Sequence, residues 1–448
     1  MFFLKTIYKV YYLTCFPAIM RKVFSFLLYL IGITVQAQTE PDYHYFIEYK
    51  YMQATYGIGS SDFSQHLSYI GMYKQSLIEE ERFQHPTLLK SKIVQPNLHA
   101  ENAYPYIFDA IKNNRIVILN ETHNNPLSRV LLYNIVDSLE KYDVKAVFME
   151  ALGYNPTDTS FISSKQPYAE GIYTSENIFR QVLYKFKENK LRLYSYEYQP
   201  KDLDTSTING NKCIISKDDA RWIPMPVDSY VLENFISKDD WREREAHQAL
   251  KIFQKLQREH INKAFIYCGY GHAWRQGNNM IDILEHLLKQ DVYSIDQTIM
   301  NECVNKNLEF PPYAKFAKNH PFVIVDQQKI PISAVANKAG EKPLVNLVVG
   351  SPRSVYINNR PTWLELNGNR KRYHLSQFVD VSTEKDFLVA FYTLDELKTE
   401  KEEYIPDDVF QVFGNGLDYD VILKPNQSYQ LRIMKNKKVI VDKTIYAD

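Results

Sequence analysis

Four short apolar runs in this 448-residue sequence each end in side chains that can move protons. Arg115–Leu119 (RIVIL) runs into Asn120-Glu121-Thr122-His123, and Lys145–Met149 (KAVFM) ends at Glu150. Leu191–Tyr196 (LRLYSY) ends at Glu197, and Lys263–Cys268 (KAFIYC) leads to Gly269-Tyr270-Gly271-His272. A carboxylate two residues from an imidazole can orient it as a general base on water, so Glu121 and His123, with Glu150, are candidate catalytic groups. Arg129 or His272 could then stabilise the oxyanion of an ester or amide. The same side chains suit a divalent ion held by His123, His272 and Glu121, with one position left for water. A proton-carrying imidazole and a metal-bound one exclude each other. Glu197, Arg244 and Glu245 are candidate substrate-binding residues.

Residues so far apart in the chain meet only if the fold gathers them. A parallel sheet does so, because the C-terminal ends of its strands share one edge. Helical periods separate the runs: Pro126–Glu140 has apolar residues at 127, 130, 131, 135, 136 and 139, behind an Asn125 cap and a first-turn proline. Segments 175–189, 239–259 and 279–289 also read as helices, and 291–295 as a strand. On helix 239–259, Trp241, Ala249, Phe253 and Leu256 form the expected core face, with Arg242, Glu243, Lys251 and Lys255 on a solvated face. Strands separated by helices need crossovers, which predicts an α/β fold: a mostly parallel sheet with helices on both faces. After about residue 305 short alternating runs predict a smaller β-rich C-terminal region, with Asn-Gly turns at 367–368 and 415–416. The expected division is 38–304 for the α/β domain and 305–448 for the β-rich region. Residues 42–95 read as mixed helical packing.

At the N-terminus Arg21-Lys22 precedes the apolar stretch Val23–Val35, and Val35-Gln36-Ala37 suits a cleavage site before Gln38. Residues 1–37 therefore read as a signal peptide, with Met20 as a second candidate start, and the protein as exported to the periplasm or medium. Thirteen apolar residues fall short of the ~20 that span a bilayer, so no membrane anchor is expected. Lys+Arg and Asp+Glu each total 53; removing the four bases of residues 1–37 leaves 49 against 53, which offers nucleic acid no basic field. A small-molecule or peptide substrate is expected instead. Cys213, Cys268 and Cys303 follow the signal, without CxxC spacing, so at most one disulfide is expected. No phosphate-loop, dinucleotide, GxSxG or HExxH motif occurs.

The ordered set LNETHNN, VFMEALGY, SYE, REAHQAL and FIYCGYGHA, spanning roughly residues 100–300, resembles the erythromycin-esterase-like, ChaN-like and Tiki/TraB superfamily. Glu121-x-His123 is nearest its ChaN-like branch. Glu150 matches the second-strand acid of that family, Arg244-Glu245 its helix pair and His272 its late histidine. Asn120 stands in place of its usual glycine and Gln248 in place of its methionine. The resemblance implies an α/β fold with a cleft at this rim, and either hydrolysis or haem or metal handling. In the second case a flat ligand such as haem would rest among aromatic residues near the rim, including Tyr154, Tyr270 and Trp274.

Overall fold

The computed structural model describes residues 48–58, 60–82, 97–152, 172–197, 203–216, 225–226, 231, 240–277, 279–333, 342–394, 405–414 and 418–448. The expected signal peptide and Tyr154 lie outside them. Tyr45–Asp448 forms one compact unit.

Among the described residues three helices come first: α1 (Tyr49–Tyr56), α2 (Ser61–Tyr69) and α3 (Tyr73–Glu80). Strand β1 (His99–Asn102) and helix α4 (Ala103–Asn113) lead into an alternating series. It runs β2 (Ile116–Glu121), α5 (Leu127–Lys141), β3 (Ala146–Met149), α6 (Asn177–Glu188) and β4 (Arg192–Ser195). A hairpin, β5 (Leu203–Ile208) and β6 (Asn211–Ser216), interrupts it before α7 (Asp240–Arg258), β7 (Ala264–Gly269), α8 (Met280–Leu288) and β8 (Tyr293–Asp296). Strand β9 (Phe322–Val325) pairs antiparallel with β1, and β10 (Leu347–Val348) returns to the edge of the main sheet.

That main sheet has the order β10-β8-β2-β7-β3-β4 and every pairing in it is parallel. Side chains alternate across its faces, so Val117, Leu119, Val147, Phe265 and Tyr267 pack under α4, α5 and α6. Ile116, Ile118, Phe148, Ile266 and Cys268 pack under α7 and α8. With both faces covered, all six residues of β2 are buried, which explains the unbroken apolar reading of the strands. Each such Ile, Val or Phe contributes about 1.5–3 kcal/mol relative to exposure.

The C-terminal region is antiparallel. Strands β11 (Lys371–His374) and β14 (Asp420–Leu423) pair with each other, while β13 (Asp408–Val412), β12 (Phe387–Thr393), β15 (Gln427–Lys435) and β16 (Lys438–Ala447) form a sheet in that order. Compactness does not break at 304/305. Strand β10 belongs to the parallel sheet, Ile422, Leu364 and Leu366 join the core beneath α5, and Met52, Phe63 and Leu67 of the first helices pack against Leu388 and Val409. Gln181 of α6 donates to Asp407 at 2.6 Å. Asn367-Gly368 is a left-handed turn leading into β11, not the tip of a hairpin, and residues 415–417 are outside the described set. Cys213, Cys268 and Cys303 are buried free thiols, so the disulfide left open by the sequence does not form among them. No helix among the described residues is long and apolar enough to cross a membrane.

Candidate functional site

Strands β2 and β7 lie side by side with Glu121 opposite Gly269. The chain leaves β2 for α5 on one face of the sheet and leaves β7 for α8 on the other. Diverging crossovers mark the place beyond the strand ends where open α/β sheets bind ligands. The candidate residues gather at those strand ends in two linked clusters.

In the first cluster, Asn125 Oδ1 accepts the Leu127 N–H and starts α5, which carries Arg129 back toward β2. Arg129 is completely buried. Its Nε and Nη2 donate to the two oxygens of Glu121 at 2.9 and 3.2 Å, Nη2 also reaches the His123 carbonyl at 2.7 Å, and Nη1 donates to Glu176 at 3.1 Å. Tyr267 donates to Glu121 at 2.7 Å. Burial alone would raise the Glu121 carboxyl, but Arg129 and His123 overcome it and hold the group down at about 2. Glu176 goes the other way: burial raises it, against the pull of Arg129 and of the Ile178 and Phe179 N–H groups it caps. His123 Nδ1 lies 3.1 Å from Glu121 Oε1, and its ring stacks on Tyr173 at 4.0 Å between centroids. Gly269 permits this placement, since a Cβ there would stand 2.5 Å from His123 Nε2.

In the second cluster, Glu150 accepts the Gly269 N–H at 2.6 Å and Arg244 Nη2 at 2.7 Å, with His272 Nε2 at 3.4 Å. Arg244 also grips Glu197 with Nε and Nη2 at 3.0 and 2.7 Å. His272 Nδ1 is 2.7 Å from Glu245 Oε1, an ion pair too tilted to be an aligned hydrogen bond, and Glu245 Oε2 accepts the Met280 N–H. Burial would lower the His272 imidazolium, yet Glu150 and Glu245 push it up to about 10, so it is cationic at neutral pH. Arg244 Nη1, 3.2 Å from His272 Nε2, is then a like charge, and Glu150 between them, Glu197 on Arg244 and Glu245 on His272 supply the counter-charge. Glu150 is correspondingly held well below the usual carboxylate range: His272, His123 and Arg244 outweigh its burial.

No family model and no curated protein matches the chain. A solved structure of the type III effector HopBA1 aligns with 58% of this chain and 99% of its own at 9% identity and a TM-score of 0.31, too distant a likeness to assign fold or function.

The structure brings Glu121, His123, Glu150, Glu197, Arg244, Glu245 and His272 together, and Gly269 and Glu150 link the two halves. It changes several roles. Arg129 has no exposed surface and cannot face a substrate; it fixes Glu121, and the cation that reaches solvent is Arg244, with a quarter of its side chain exposed. The metal set of His123, His272 and Glu121 is not assembled. Glu121 is spent on Arg129 and Tyr267, His272 is held by Glu245 and Glu150, and no three His, Cys, Asp or Glu among the described residues are grouped to hold an ion. Two of the aromatic residues named for a flat ligand have polar partners within the fold. The Tyr270 hydroxyl donates to Glu80 at 2.6 Å and is pushed up by burial and that carboxylate, while Trp274 Nε1 donates to Asp296. Trp241 is half exposed, not core: its indole stacks on His272, and Ala246, Leu250 and Ile252 pack inward with Ala249 and Leu256.

Sequence reasoning missed Glu176, Tyr173, Tyr267 and Asp296. Asp296 ends β8 and accepts from Asn120 Nδ2 at 2.6 Å, so Asn120 ties β2 to its neighbour. The rule that found Glu150, an acid at the end of an apolar strand, would have found Asp296 had the strand been carried one residue further.

Proposed function

We propose that this cleft hydrolyses an ester or amide bond, with His123 as the general base. The observation that carries the reading is the asymmetry of that imidazole. Nδ1 is held by a carboxylate that Arg129 and Tyr267 already fix, while one-fifth of the side chain faces solvent. With the proton on Nδ1 directed at Glu121, Nε2 takes a proton from water as the hydroxyl oxygen attacks the carbonyl carbon. The resulting oxyanion faces Arg244, the reachable cation. As the tetrahedral intermediate collapses, the proton on Nε2 passes to the leaving oxygen or nitrogen. The products are a carboxylic acid and an alcohol or amine, and no side chain becomes acylated. The acid–base composition of the rim supports this reading over passive binding, and the Arg21-Lys22 and Val23–Val35 pattern supports an exported enzyme.

The test is a panel of nitrophenyl esters and anilides offered to the full chain and to His123→Ala, with and without chelator. Turnover that resists chelation and falls about 100-fold or more in H123A is expected. Equal turnover by H123A, or turnover abolished by chelation, would overturn the assignment.

A further inference from the structure

Beyond the ends of β8 and β10, along the same sheet edge, lies a cavity of about 400 Å³ lined by Leu131, Val349, Trp363, Gln297 and Ser351 among others. Gln297 is 3% exposed, and its side-chain Nε2 has no hydrogen-bond partner. Ser351 Oγ, also buried, makes no well-aligned bond, although the Tyr313 hydroxyl stands near it. Buried donors are almost always satisfied, and one left unmet costs about 1–3 kcal/mol. An unmet donor lining a cavity of small-molecule size can be satisfied by a polar ligand that carries an acceptor.

The charges around the cavity select the ligand. Arg353 closes on both oxygens of Glu309 at 2.7 and 2.9 Å, and Glu365 accepts from Arg372 at 3.0 Å. His320 Nδ1 lies 2.9 Å from the Pro321 carbonyl, so an ionic ligand drawn to either the arginine or the glutamate of the lining would have to break a formed pair. Gln297 Nε2 instead calls for an acceptor, and Leu131, Val349 and the Trp363 ring offer an apolar wall. We propose that this cavity binds an uncharged small molecule bearing a carbonyl acceptor, an amide or lactam, on an apolar body. Its position makes it an accessory site: the Gln297 backbone N–H donates to Asn120 Oδ1 at 2.9 Å, and Asn120 precedes Glu121. The inference does not rest on the hydrolase reading.

The test uses benzamide and benzoate as probes of the full chain. Binding is followed by the Trp363 indole N–H resonance, assigned with Trp363→Phe; that N–H donates to Ser354 Oγ at 3.1 Å. Benzamide is expected to shift the resonance saturably, benzoate at least tenfold more weakly, and Gln297→Leu to weaken benzamide at least fivefold. If that variant does not fold, Gln297→Met, which keeps the side-chain length, replaces it. Three results would each overturn the proposal: no saturable shift with benzamide, benzoate binding as tightly, or unchanged affinity in the folded Gln297 variant.

Discussion

The two histidines of the cleft have similar first partners and opposite circumstances. Each has a glutamate at Nδ1, Glu121 for His123 and Glu245 for His272. His272 also has Glu150 near Nε2, only 4% of its side chain is exposed, and its charge is fixed. His123 has an aromatic floor and an open side, with one-fifth of its side chain exposed. A carboxylate at one nitrogen makes an oriented base, whereas carboxylates at both make a structural cation. The difference lies in what surrounds the second nitrogen.

The comparison breaks most visibly where the charge is deepest. Arg129→Leu leaves Glu121 and Glu176 buried without their cation and is expected to cost about 3–5 kcal/mol in urea unfolding. Arg244→Met, at the quarter-exposed partner of the second cluster, should cost about 1–3 kcal/mol. Equal losses would mean that the two clusters are not built differently.

The two clusters also differ in pH response. His272 has a folded pKa of about 10, above the ~6.5 of an unfolded histidine, so its contribution is complete below about 6.5 and is lost as pH rises toward 10. Glu121, at about 2 in the fold, contributes above about 4.5 and is lost as pH falls toward 2. Urea unfolding across pH should show both limbs, and His272→Gln should flatten the alkaline one, while the acid one keeps the share of Glu121 and loses that which Glu150 owes to His272. An alkaline limb unchanged in that variant would mean His272 is not the cation described.

A smaller and more local effect comes from Gly269→Ala. The added methyl meets His123 at 2.5 Å and Glu150 Oε2 at 3.3 Å, so the imidazole must move. A cost of about 1–3 kcal/mol is expected, with a larger proportional loss of turnover than of stability.

Much of this was legible before any coordinates. The four apolar runs became adjacent strands because β-branched residues buried on both faces leave an unbroken signal, and the acids after them followed from topology. What failed was depth. Arg129 and Arg244 both sit on helices near the rim, and nothing in their spacing says that one is sealed behind Glu121 while the other meets solvent. Trp241 fell on an apolar stripe and was read as core, yet its ring lies over His272. Strand β10, placed by pattern in the β-rich region, proved to be the sheet's edge. Membership of a sheet is decided by long-range pairing, which local alternation does not carry.

The account rests on His123 being the reachable imidazole and His272 the sealed cation. Carbethoxylation of the folded full chain at neutral pH, followed peptide by peptide in a mass spectrometer, tests this without a known substrate. His123 is predicted to react at least tenfold faster than His272, and His272 modified as fast or faster would contradict it.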